Sequence, residues 1–190
     1  MSESSQAASA PQRSTLTGEL LAVAIVAAGI VVFGIAAPSA YSAYLMIHIV
    51  AAVVWVGGGT IIAVLAFAVE RERDPVLLGR FAALAGKVGT RVFLPSSLVL
   101  LIFGFVLVSK GSWGYGHFWV IFALLGWAAS FVTGIAVLRP LSAKVGQVVP
   151  QRGIDDPEAQ ALIKRIIVID RWQVLLLLLV VADMAAKPFS

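Results

Sequence analysis

Five apolar stretches, at residues 20–37, 44–69, 92–108, 118–138 and 166–186, alternate with shorter polar segments along this chain. A helix needs about 20 mostly apolar residues to cross the hydrocarbon layer of a bilayer, so the pattern predicts five transmembrane helices. Residues 1–18 are rich in Ser, Ala and Gln, hold no apolar run, and read as a disordered tail ahead of one transmembrane helical domain, residues 19–190. With Arg13 as its only basic residue the leader is a poor start for a cleaved signal peptide, which favours a span over a processed segment.

Between the spans the polar pattern marks helix starts. Ala37-Pro38-Ser39-Ala40 predicts a tight turn. Asp74-Pro75 and Asp156-Pro157 each pair an N-cap residue with a proline suited to the first helical position. After the first of them, Leu77, Phe81, Leu84 and Val88 recur at helical spacing opposite Arg80, Lys87 and Arg91, an amphipathic lead-in to the third span. Pro95 lies in the first turns of that span, where a kink is tolerable if Ser96, Ser97 or neighbouring helices satisfy the carbonyl it frees. Residues 139–154 read as a polar connection, and from Pro157 one helix can continue to Ala186. Each of the two long descending spans carries a central Trp (Trp55, Trp127) and is followed by a basic loop and an Asp-Pro cap. The expectation is an all-α membrane protein in which two similar hairpins form a four-helix bundle, with the N-terminal span added.

Charge orients this picture. Arg71, Arg73, Arg80, Lys87 and Arg91 fall between spans two and three, and Arg139, Lys144, Arg152, Lys164 and Arg165 between four and five. The alternate loops hold only Lys110. The positive-inside rule then puts the N-terminus in the cytoplasm and the C-terminus outside, with Tyr41, Tyr44, Trp113, Tyr115 and Trp119 as an outer aromatic belt. Composition agrees: 60% of residues are hydrophobic and 13% charged, and mean hydropathy is +0.97, whereas soluble domains carry about 25% charged residues. The net charge of +4 therefore orients a membrane protein and does not point to nucleic acid. Cysteine is absent, which excludes disulfides, thiolate metal sites, iron–sulfur clusters and a cysteine nucleophile. No P-loop, dinucleotide fingerprint, GxSxG elbow, HExxH or pair of intramembrane carboxylates occurs, so the chain carries no catalytic signature.

His48 is the ionisable group within the second span, and such groups usually face a protein interior and serve a function. Trp55, seven residues on, shares its side of the helix, and the two can line one groove. A neutral imidazole there can ligate haem iron, copper or zinc, relay a proton, or simply bond to a helix carbonyl. Gly57, Gly58 and Gly59 thin the helix for packing or for a flat cofactor, and Gly126, Ser130 and Gly134 form a small-residue ladder suited to helix contact. At the depth of His48 the chain also offers Met46, Asp183, Met184 and Lys187. The methionines suit copper(I) or an axial haem position, while Asp183 could orient the imidazole or pair with Lys187 one turn on. Candidate cofactor contacts are thus His48, Trp55, Gly58 and Gly59, and candidate metal ligands His48, Met46, Asp183 and Met184.

The string His48-Ile49-Val50-Ala51-Ala52-Val53-Val54-Trp55-Val56-Gly57-Gly58, with Asp74-Pro75, Phe93-Leu94-Pro95, Ala182-Asp183-Met184 and Lys187-Pro188, resembles the bacterial integral membrane proteins of domain-of-unknown-function family 2269. Its H-x6-W-x-G-G element is similar to the membrane part of CopD-like copper-resistance proteins and, more distantly, to HemJ-type protoporphyrinogen oxidases. The resemblance implies a small helical bundle in a bacterial cytoplasmic membrane, with His48 touching haem b or copper. Three readings follow from the residues and the resemblance. They are a haem- or metal-binding redox protein, a non-catalytic accessory subunit of a larger respiratory or photosynthetic complex or a homo-oligomer, and a copper-transport component.

Overall fold

The computed structural model describes residues 12–188, with side chains from Leu20 onward; most of the expected tail, residues 1–11, lies outside the described residues. The chain divides into two compact units, Met1–Ala43 and Tyr44–Ser190. It is all-helical, with no strand among the described residues.

In the first unit, α1 (Gln12–Ile35) begins earlier than the apolar run predicts. From Leu20 its side chains are apolar on every face and exposed or half-buried, as suits a helix solvated by lipid. The predicted turn at Pro38 follows, and the Ser42 N–H donates to Ser39 Oγ at 3.1 Å, capping α2 (Ala40–Ala52).

The second unit consists of long rods. The first continues α2 through a π-helical turn, Val53–Gly57, into α3 (Gly58–Arg71). The second joins α4 (Pro75–Val88) through a π turn at Gly89–Phe93 to α5 (Leu94–Lys110). The third joins α6 (Phe118–Thr133) through Gly134–Leu138 to α7 (Arg139–Arg152), and α8 (Pro157–Ala186) is one unbroken helix. The first three rods, Ala40–Arg71, Pro75–Lys110 and Phe118–Arg152, are long and apolar enough to cross a membrane. At 1.5 Å per residue each is about 48–54 Å long, well beyond a hydrocarbon layer of about 30 Å.

Both Asp-Pro caps form as predicted. Asp74 Oδ1 accepts from the Val76 and Leu77 amides at 2.8 and 3.2 Å, and Asp156 Oδ1 accepts from Glu158 and Ala159 at 2.9 and 3.3 Å. One local expectation is corrected. Residues 139–152 are helix and not an irregular connection. Their apolar positions Val145 and Val149 pack on Ile163, Ile167 and Ala66, with Phe81 and Ile154 at the edge, and this tertiary contact overrides a polar composition. At Pro95 the backbone adapts by π turning: the Leu94 amide reaches back to the Gly89 carbonyl, and Ser97 Oγ donates to Leu94 O at 2.8 Å. The same device precedes Pro140, where the Arg139 amide bonds Gly134 O.

α8 carries seven buried residues, from Ala159 to Asp183, and packs against α6, α7, α3 and α4. Gly126 lets α6 approach it so closely that an added Cβ would run into Val180, and Ser130 is buried on the same side. Gly134, expected in the same ladder, stands at the start of the π turn and faces open space. Four side-chain bonds close a ring around the rods. His48 Nδ1 meets the Leu100 carbonyl at 2.9 Å, and Trp127 Nε1 donates to Ser97 O at 3.0 Å. Gln173 Nε2 donates to Ser130 O at 2.9 Å, and Arg171 pairs with Glu70. In an apolar solvent each such bond contributes about 0.6–2 kcal/mol.

Candidate functional site

His48 is 8% exposed, and its place is prepared by the facing helix α5. The ring lies against α5 at Gly104, where a Cβ would stand 3.2 Å from Cε1 and 3.6 Å from Nδ1. Glycine leaves the ring that room without a shift, and Nδ1–H donates to the Leu100 carbonyl, 52 residues away in sequence. That bond fixes the neutral tautomer with its proton on Nδ1, so Nε2 keeps its lone pair. Among the described residues Nε2 has no hydrogen-bond partner.

The imidazole forms part of the wall of a cavity of about 90 Å³. Trp55 and Ala52 line it from the first rod, Leu101 and Phe105 from α5, Trp119 and Trp127 from α6, and Leu177 and Met184 from α8. The wall is aromatic and aliphatic, and its side chains able to ligate a metal are the imidazole, the Met184 thioether and the Tyr115 hydroxyl, the last already bonded to Ser109 and Phe105. Trp127 is spoken for, its indole N–H donating to Ser97 O and its ring stacked on Phe131 at 4.7 Å.

The structure thus brings His48, Trp55 and Met184 together and leaves other candidates elsewhere. Gly58 and Gly59 do not reach the cavity: a Cβ at Gly58 would meet Phe93 Cε1 at 2.7 Å, and one at Gly59 would meet Val174 at 3.8 Å, so both serve helix packing. Met46 is half-buried outside the cavity wall. Asp183 is 8% exposed, is not among the residues of the wall, and holds Oδ2 without a hydrogen-bond partner. It does not pair with Lys187, whose ammonium lies 4.3 Å from the centroid of Trp113 and 5.5 Å from that of Trp119. Among the described residues no three His, Asp or Glu side chains gather into a metal cage. Gly104 and Trp127 are the positions that sequence reasoning missed. A glycine within a run of apolar residues gives no sign of which partner it admits, and the central position of Trp127 in its span does not show that its indole bonds Ser97.

These residues fit a group held at the imidazole and otherwise mainly by apolar contact, with the Trp119 indole N–H in the same wall still without a partner. An apolar cavity of about 150 Å³ takes up benzene, so the present space suits a metal ion or a small molecule, and a porphyrin ring enters only if a wall moves. The model of a family described as "Predicted integral membrane protein (DUF2269)" matches residues 43–188. No curated protein and no solved structure matches the chain.

Proposed function

The chain belongs to the DUF2269 family of predicted integral membrane proteins, and from that premise we propose that it holds a metal centre at Nε2 of His48, a copper ion in the space as it stands or haem iron once a wall has moved. The observation that carries this is the division of labour within the imidazole. Nδ1–H is committed to the Leu100 carbonyl through the gap at Gly104, and the Nε2 lone pair remains at an apolar cavity. Metal-bound histidines characteristically donate their other ring N–H to a carbonyl or carboxylate, which fixes the tautomer and raises ligand basicity. Here the fixing partner is a main-chain carbonyl, and Asp183 is not needed for it. Met184, a soft thioether in the same wall, is the candidate second ligand. A haem iron or copper ion held this way supplies one-electron chemistry. The chain itself supplies the anchoring nitrogen, an apolar wall, and aromatic rings that would flank the group.

The surrounding fold in this reading is a five-span protein of a bacterial cytoplasmic membrane, N-terminus inside and C-terminus outside, related to CopD-like proteins. The ten basic residues of the two long connections support that orientation. Absorption spectra and elemental analysis of protein isolated gently from its native membrane test the metal reading. A Soret band identifies haem, and stoichiometric copper without pigment identifies the ion. A preparation that keeps its partners and contains neither rules the reading out and leaves a non-catalytic accessory subunit.

A further inference from the structure

The connection between α5 and α6, residues 111–117, differs from those capped by Asp74 and Asp156. It contains Gly111, Gly114 and Gly116. Packing does not require the last two, since a Cβ at Gly114 would meet nothing closer than 3.9 Å and one at Gly116 nothing within 4 Å. Glycines without a steric reason leave a backbone free to change conformation. Yet this segment carries part of the cavity wall: Tyr115 lines the space that His48 faces, and Trp119 lines it from the first turn of α6.

Two fastenings hold the segment. On the α5 side the Tyr115 hydroxyl lies 2.7 Å from Ser109 Oγ and donates to the Phe105 carbonyl at 3.3 Å. On the α8 side Lys187, in a left-handed conformation (φ 45°) that closes the helix, sends its ammonium into a corner of two Trp rings set at 84° to each other. His117 stacks on Trp119 at 6.5 Å and completes the aromatic group. A non-glycine residue rarely adopts positive φ, so the backbone at the end of α8 accepts an unfavoured conformation while its cation reaches the rings.

We propose that residues 111–117 form a lid over the His48 cavity, latched by the Lys187 ammonium seated between Trp113 and Trp119. The latch joins the end of α8 to the segment that carries Tyr115, and its release lets that segment turn about its glycines and open the cavity toward the outer surface. As an entry route for a bound group the lid rests on the metal reading; as a moving part it does not.

The absence of cysteine permits a direct test in the full chain. Ala123→Cys places a single thiol in the cavity wall one turn below Trp119, and the rate of its reaction with a neutral, water-soluble maleimide is measured in membranes. Cation–π contacts of this kind correspond to about a 2- to 30-fold change in an equilibrium. Lys187→Gln is expected to speed labelling by that factor, Trp113→Leu to do the same, and Lys187→Arg, which keeps a cation, to leave the rate near that of the parent. Equal rates in all four proteins overturn the proposal, as does Lys187→Arg labelling as fast as Lys187→Gln. Should the variants lose their helical content, hydrogen exchange in the unaltered chain decides: amides 111–117 exchanging together and ahead of the adjoining helix ends support the lid, and equal protection overturns it. Neither readout needs a bound metal, so a protein without metal and a protein without a lid give different results.

Discussion

Gly104→Ala probes the seat of the imidazole by adding one methyl group. Its Cβ would lie 3.2 Å from His48 Cε1, closer than ordinary van der Waals contact, and 3.6 Å from Nδ1. The ring must then shift by a few tenths of an ångström or give up its bond to Leu100. Overpacking of a close-packed interior costs about 1–3 kcal/mol, and the lost hydrogen bond about 0.5–1.5 kcal/mol. Against this stands the gain of about 1 kcal/mol that Ala offers over Gly inside a helix. The single variant is therefore expected to be destabilised by only about 0–2 kcal/mol, too little to interpret alone. The cycle with His48→Ala isolates the contact: without the imidazole the new methyl meets open space, and Gly104→Ala becomes stabilising by about 1 kcal/mol. The coupling between the two positions, read from reversible unfolding in detergent, is then about 1–3 kcal/mol. Additive effects, with coupling below about 0.5 kcal/mol, would refute the claim that the glycine exists to admit the histidine.

Gly126→Ala is expected to cost about 1–3 kcal/mol, because the added Cβ collides with Val180, and Val180→Ala in the same chain should recover part of the loss; the same detergent melts check both. The proposed orientation predicts that Ser4→Cys is shielded from an impermeant thiol reagent in intact cells, whereas Gly111→Cys and Ser190→Cys are labelled. The reverse pattern overturns it.

The parts of the fold written in the sequence are those set by local chemistry. The apolar runs, both Asp-Pro caps and the uninterrupted helix from Pro157 all depend on residues within a few positions of one another. The register shifts before Pro95 and Pro140 do not, since a proline shows where an amide is missing and not how the backbone re-forms its bonds. α7 was hidden for a related reason: Val145 and Val149 form a helix face only when α8 is there to cover it. At the site, seven-residue spacing sufficed to put His48 and Trp55 on one wall. Gly104 and Trp127 could not be assigned, because their partners are distant in sequence and are chosen by packing. Depth matching placed Asp183 and Met184 at one level, yet consecutive residues on a helix point about 100° apart, so only the methionine reaches the cavity.

The most direct test of the account compares the unaltered protein with His48→Ala, both isolated from native membranes and examined by absorption and elemental analysis. A Soret band or stoichiometric copper is expected in the first and its loss in the second, with helical content retained. Undiminished metal or pigment in folded His48→Ala, or its absence from the unaltered protein, would contradict coordination at Nε2.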